Sequence, residues 1–225
     1  MRVLIIGANG QLGKCLTDTK PEKLDLISYS KEEFDLLDID KCLQQIDRDK
    51  PNYVINAAAY TAVDKAETEK ENVEIINAQN PYKIAYKLND LGGKFIQIST
   101  DFVFSGLKSS PYRTNDDLSP LNEYGKSKAL CEKLLLKLNN SKTIRTSWLY
   151  SPYGKNFCLT MLHLHKSCLE KKVPLRVVSD QISCPTSCFS LSNVCWEMII
   201  NNEIFRNKQK IFHWSDAGVA SWYDF

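Results

Sequence analysis

An α/β fold of the Rossmann type, a doubly wound parallel sheet with a small C-terminal annex, is predicted by three observations. Short apolar runs alternate with longer helical patterns, several of the runs are apolar on both faces, and the first passes straight into spaced glycines. Strands apolar on both faces need cover on both sides, which a parallel sheet between two helix layers provides. The strand candidates are RVLII, LDLISY, YVINAAA, KFIQIS, KTIRTS and PLRVVS. Between them CLQQI, VEIINAQNPYKIAYKL and ALCEKLLLKL read as helices. A chain of 225 residues, 43% hydrophobic, can bury one substantial core.

Composition excludes several classes of function. With 29 Lys+Arg against 27 Asp+Glu the formal charge is only +2, and no basic run is long enough to make a nucleic-acid surface. The opening MRVLIIGANG is too short an apolar run for a signal peptide, and no stretch approaches the roughly 20 apolar residues of a membrane span. Neither nucleic acid nor membrane is therefore expected as a partner. Eight cysteines include no C-x-x-C pair, so zinc spacing is absent. They read as reduced thiols of a cytoplasmic protein, Cys131 lying at an apolar position of KALCEKLLLKL. His163, His165 and His213 fall in no triad or ligand spacing and read as structural or solvent-facing.

The amino-terminal end suits a dinucleotide. Strand Arg2 to Ile6 runs into Gly7-Ala8-Asn9-Gly10-Gln11-Leu12-Gly13, with a helix beginning near Gln11. Glycines at this spacing permit a tight turn and close backbone approach, so that helix N-terminal amides can meet a pyrophosphate. The second strand ends at Ser28-Tyr29-Ser30-Lys31 without the carboxylate that commonly holds the ribose 2′-hydroxyl of NAD. Lys31 and the serines could accept a 2′-phosphate, which favours NADPH and leaves NADH open, since Glu32 and Glu33 follow closely. Asp38-Ile39 opens the next helix, and small residues in Asn56-Ala57-Ala58-Ala59 would let a nucleotide lie against the sheet edge.

Chemistry concentrates in the middle of the chain. Tyr124 and Lys128 form Tyr-x-x-x-Lys within NEYGKSKALCEKLLLKL, a spacing that puts phenol and ammonium on one helix face. A free phenol titrates near about 10, and a neighbouring cation favours its ionised form. Upstream, Ser99-Thr100-Asp101 ends a predicted parallel strand at the edge where open α/β sheets place ligands. Thr100 would then sit beside Tyr124.

These residues carry a resemblance. The Gly7 to Gly13 loop, the run AAAYTAVDKAE from Ala57 to Glu67, Ser99-Thr100-Asp101, Tyr124 with Lys128, Arg145-Thr146-Ser147-Trp148, and Asp180-Gln181 with Pro185-Thr186 together resemble the extended short-chain dehydrogenases/reductases. Within them they most resemble the dTDP-4-dehydrorhamnose reductase family, over essentially the whole chain. The resemblance implies hydride delivery from a nicotinamide to C4 of a nucleotide-linked keto sugar, with Tyr124 supplying the proton. Lys128 would bind the nicotinamide ribose and depress the phenol's pKa, and Thr100 would hydrogen-bond the reacting oxygen. In the cofactor loop that runs from Gly7 to Gly13, Gly10, Gln11 and Leu12 would face the pyrophosphate, Asp38 and Ile39 the adenosine, and Ala59, Tyr60 and Thr61 the remaining ribose and nicotinamide side. Asp101 and Trp148 would contact the sugar nucleotide, Trp148 as a flat apolar wall.

The resemblance also implies departures. Phe102 stands where many members carry tyrosine, and Cys15 and Phe189 stand where some carry glutamates that hold a divalent metal, so no metal is expected. Residues 1–150 read as the NAD(P)-binding domain and 151–225 as a mixed segment adding late strands and part of a substrate lobe. SWYDF stops in what reads as a helix opening, which predicts an incomplete C-terminus with turnover impaired if it is the natural end; a homodimer is left open. A dehydratase or epimerase is the rival enzyme, although Phe102 occupies the place of a dehydratase glutamate. A regulatory subunit like the beta subunit of methionine adenosyltransferase is the non-catalytic rival, and retention of Thr100, Tyr124 and Lys128 argues against it.

Overall fold

A computed structural model describes residues 1–201 and 203–225. Its chain runs β1 (Arg2–Ile6), α1 (Gln11–Asp18), β2 (Asp25–Tyr29), α2 (Ile39–Asp49), β3 (Tyr53–Asn56), α3 (Val63–Ala66), α4 (Lys70–Glu74), a wide π-helical turn (Ile75–Gln79) and α5 (Asn80–Asp90). There follow β4 (Lys94–Thr100), a 3-10 turn (Asp101–Val103), α6 (Glu123–Leu135), β5 (Ser141–Thr146), β6 (Leu149–Tyr150) and α7 (Phe157–Lys171). Last come β7 (Ile182–Ser183), β8 (Thr186–Ser187), α8 (Cys188–Ile200), α9 (Glu203–Arg206), β9 (Ile211–His213) and β10 (Ala220–Ser221).

Six strands form one parallel sheet in the order β2-β1-β3-β4-β5-β9. The order reverses between β1 and β3, the switch point where ligands of open α/β sheets bind. Alternation along each strand divides the core in two. Val3 and Ile5 of β1, Tyr53 and Ile55 of β3, and Ile96 of β4 pack on one face with Leu12 and Leu16 of α1 and Leu191 and Ile199 of α8. Leu4, Ile6, Val54 and Phe95 face the other way, against Ile46 of α2, Ile84 and Leu88 of α5, and Leu135 of α6. The doubly wound sheet is thus the observed architecture, and α8 and β9 from the later part of the chain complete its layers.

One sequence expectation changes. PLRVVS is no strand: residues 174–179 are irregular and largely exposed. Pro174 brings no N–H to a ladder, and the backbone bond recorded to this stretch is from Tyr223 N to Val178 O, 3.0 Å. The sixth place goes instead to the three residues of β9. Buried Lys142 of β5 draws that segment in, its ammonium donating to the carbonyls of Asn207 and Gln209 at 2.6 and 2.5 Å, while Thr143 N donates to Lys210 O at 2.8 Å. Residues 221–225 form one turn with reciprocal capping bonds, Ser221 N to Asp224 Oδ2 and Asp224 N to Ser221 Oγ, each 3.0 Å.

Five of the cysteines are buried, Cys15, Cys188 and Cys195 in one core and Cys42 and Cys131 in the other. Burial pushes the Cys42, Cys131, Cys188 and Cys195 thiols up to about 12, which makes them inert hydrophobes.

One buried ion pair joins α6 to the sheet. Glu132, 1% exposed, receives Arg145 of β5, 5% exposed, through Nη2 at 2.7 Å and Nε at 3.1 Å. Arg145 also donates to Thr114 O at 3.2 Å, and its guanidinium lies 4.9 Å from the Phe104 ring centre. Removing one partner strands a buried charge. Glu132→Ala is expected to cost about 3–5 kcal/mol, read as a lower urea midpoint, whereas an apolar pair replacing both residues recovers most of that loss.

Candidate active site

A cleft of about 700 Å³ opens at the C-terminal edge of the sheet and takes in the β1–β3 switch point. One end of it is built by the loop after β1. Gly7 adopts φ +86°, and a Cβ there would lie 2.8 Å from Ala58 N. A Cβ on Gly13 would lie 2.2 Å from Gly7 O, so the loop closes on itself only with glycine at both places. Gly7 N and Ala8 N are spent on Tyr29 O, at 3.0 and 2.9 Å. Gly10, Gln11 and Leu12 line the cleft, where the leading amides and positive dipole end of α1 suit a pyrophosphate. This cradle fits a dinucleotide.

The Gln11 side chain has a separate task. Its Oε1 accepts from Ser151 Oγ at 3.1 Å and Asn156 Nδ2 at 3.0 Å, and its Nε2 donates to Lys155 O at 3.2 Å. The loop before α7 is thereby tied to α1, and Gly154, Lys155 and Asn156 form part of the same cleft wall.

At the end of β2, Lys31 lines the cleft, together with Asp35 and Leu36 beyond it. Glu33 is turned away, its carboxylate accepting from Ser30 N at 2.9 Å, and that bond holds it below the usual carboxylate range. Asp38 and Ile39 are not brought to the cleft. Asp38 caps α2 by accepting from Lys41 N at 3.2 Å, and Ile39 packs against the second core. Gly13 lies beneath the loop instead of on the cleft wall.

Ala59, Tyr60 and Thr61 line the cleft beyond β3. Their position is set by Asn77, a buried residue of the π-helical turn whose Oδ1 accepts from Tyr60 N at 2.8 Å and whose Nδ2 donates to Tyr60 O at 3.1 Å. The same amide donates to Ser127 Oγ at 3.0 Å, and Ser127 Oγ donates to Tyr124 O at 2.7 Å. Two polar side chains thus join the Tyr60 loop to α6. Neither was singled out from sequence, where Asn and Ser inside helical patterns carry no distinct signal.

Tyr124, Lys128 and Thr100 line the same cleft. Asn122 caps α6 by accepting from Gly125 N at 2.7 Å. A Cβ on Gly125 would lie 2.3 Å from Phe102 O, so only glycine lets α6 settle onto the turn after β4. That contact sets Tyr124 beside Thr100, with its ring edge-on to Phe102 at 5.8 Å. Desolvation pushes the Tyr124 phenol up to about 12; the Thr100 hydrogen bond opposes the shift and the Asp101 charge adds to it.

Lys128 is 3% exposed and donates to Ile98 O at 2.6 Å, and its burial lowers its own pKa. An ammonium has three protons, so buried donors remain for hydroxyls of a ligand in the cleft. Thr100 donates its single proton to Asp101 Oδ1 at 3.1 Å and accepts from Phe102 N at 3.2 Å. Asp101 stands off the cleft wall, its Oδ2 accepting from Ser147 Oγ at 2.7 Å and Ser183 Oγ at 3.1 Å. Trp148 does line the cleft, in a left-handed conformation of φ 36° and stacked on Trp222 with ring centres 3.5 Å apart. Among the described residues, no three His, Cys, Asp or Glu side chains converge as a metal site, and no helix is long and apolar enough to cross a membrane.

Comparison with known proteins agrees with this geometry. The family model described as the RmlD substrate binding domain matches residues 1–225. The spore coat polysaccharide biosynthesis protein SpsK of Bacillus subtilis is 38% identical over 226 residues, covering 100% of this chain and 76% of its own length. A dTDP-4-dehydrorhamnose reductase of Aggregatibacter actinomycetemcomitans is 39% identical over 230 residues, with coverages of 100% and 76%. The crystal structure of dTDP-4-dehydrorhamnose reductase from Bacillus anthracis in complex with NADP superimposes with a TM-score of 0.87 at 36% identity, covering 99% of this chain and 77% of that one. The chain belongs to the RmlD substrate binding domain family, among the dTDP-4-dehydrorhamnose reductases.

Proposed function

We propose that this chain reduces dTDP-4-dehydro-6-deoxy-L-mannose to dTDP-L-rhamnose with NADPH, in the cytoplasm. The observation that carries the reading is the convergence of Tyr124, Thr100 and buried Lys128 on one cleft with a glycine-built dinucleotide cradle. Bound in that cradle, the nicotinamide supplies hydride to the sugar's C4. Tyr124 gives its phenolic proton to the C4 oxygen as negative charge gathers there. Lys128 holds the adjoining ribose with its remaining protons, and Trp148 offers the deoxysugar an apolar face. Gly10, Gln11 and Leu12 receive the pyrophosphate, and Ala59, Tyr60 and Thr61 flank the nicotinamide side. Lys31 at the β2 end supports NADPH, because a cation there complements a 2′-phosphate.

Thr100 is hydrogen-bonded to Tyr124 and so holds the phenol at the end of β4, where the reacting oxygen arrives. A phenol kept protonated by burial suits the reductive direction, which consumes a proton at the oxygen. The regulatory-subunit reading has no comparable support, since it gives no reason for a buried lysine and a desolvated phenol to share a cleft.

Tyr124→Phe is expected to lower kcat by about a hundredfold or more, with the NADPH Kd from fluorescence titration within about twofold of the parent. Unchanged turnover would remove the phenol from the mechanism. With its pKa raised to about 12, Tyr124 stays protonated through the alkaline range. Reductive kcat should therefore show no phenol-linked fall below pH about 10, while the reverse oxidation, which needs the phenolate, should climb with pH over the same range. A reductive limb with an apparent pKa near about 7 contradicts this assignment. Lys31→Ala should weaken NADPH by about tenfold and leave NADH nearly unaffected, measured as two Kd values on the same preparation.

A further inference from the structure

We propose that Thr146 is a second hydroxyl donor of the reaction centre, standing beside Thr100 and hydrogen-bonding the sugar oxygen that takes the proton from Tyr124. The inference rests on the reductase reading above. Thr146 ends β5 in register with Thr100, the last residue of β4, and lines the cleft with it. Register partners on neighbouring parallel strands project from the same face of a sheet, so the two hydroxyls stand side by side. Thr146 is 7% exposed, yet its Oγ1 makes no hydrogen bond to any described residue.

A buried hydroxyl without a partner lowers stability, and native proteins seldom keep one where no ligand meets it. The hydroxyls around it are committed. Thr100 donates to Asp101 and Ser147 to the same carboxylate, while Ser99 Oγ donates to Glu132 Oε1 at 2.5 Å. Among these four strand-end hydroxyls, Thr146 alone is without a partner among the described residues. Tyr124 and Thr146 both line the cleft, so a carbonyl oxygen held at the phenol is presented to the wall that carries Thr146. A neutral donor aimed there gains most as that oxygen becomes an alkoxide, so its effect belongs in kcat more than in binding.

The test compares Thr146→Val and Thr146→Ser with the parent protein. Valine should lower kcat for the dTDP-4-keto sugar by about a hundredfold, leave the NADPH Kd unchanged, and melt at the same or a higher temperature, because an unsatisfied polar atom has been removed. Serine, which restores the hydroxyl, should recover most of the rate. Parental turnover by the valine variant overturns the proposal. So does weaker NADPH binding with kcat retained, which would assign the hydroxyl to the nicotinamide carboxamide. A lower melting temperature with a rate that serine does not restore would make Thr146 a packing residue and equally overturns it. Should the parent bind NADPH but reduce no such sugar, the reductase reading itself falls, and the proposal with it.

Discussion

The reaction centre depends on how closely α6 can approach the turn that leaves β4. Phe102 O occupies the space where any side chain at position 125 would begin, at 2.3 Å from an ideal Cβ. Because Gly125 yields that space, the phenol beside it reaches the end of β4, and the ammonium one turn later reaches the Ile98 carbonyl. Separating helix and turn by a methyl group would leave both functional groups on the same helix face but aimed past the strand end. The Tyr-x-x-x-Lys spacing is therefore necessary and insufficient; the small residue inside it supplies the distance.

Around that contact the protein manages an unusual amount of buried polarity. Glu132, Arg145, Lys128, Lys142 and Asn77 are each nearly inaccessible, and each is met by carbonyls, carboxylates or hydroxyls. Their partners come from different elements, so the bonds that satisfy them also hold α6, β5, β9 and the Tyr60 loop at fixed offsets. Low polarity raises the cost of misplacing any of these groups and thereby narrows the arrangements the chain can adopt. It also keeps the Tyr124 phenol protonated. Positioning and acid strength arise from one cause, exclusion of water from the sheet edge.

Much of this was legible in the residues. Alternation with helical patterns located β1 to β5, several of them runs apolar on both faces, and the glycine spacing located the dinucleotide loop, because hard-sphere limits leave few alternatives. Beyond Trp148 the signals fade for identifiable reasons. α8, CFSLSNVCWEMII, is largely buried because it packs on the sheet and beside α1, so only a weak amphipathic period marks it. β9 is three residues long and owes its place to a lysine on its neighbour, a tertiary cause no local window contains. PLRVVS has the composition of a strand and lacks a partner to pair with. The Gln11 tether, the Asn77 bridge and the unmatched Thr146 hydroxyl were invisible likewise, because each is defined by what lies across the cleft from it.

The wide turn at Ile75–Gln79 has a consequence for how one helix can serve two masters. Pro81 has no N–H to return to the carbonyl four residues back, and the added width lets the helical path continue through α4 and α5 despite it. An extra residue per turn also rotates everything downstream by roughly 100° relative to everything upstream. The first half can accordingly be phased so that its amide grips the Tyr60 loop, and the second so that Ile84 and Leu88 fall on the sheet. Trimming a single residue there would bring the two halves into one phase, and the helix could then satisfy the core or the cleft but not both.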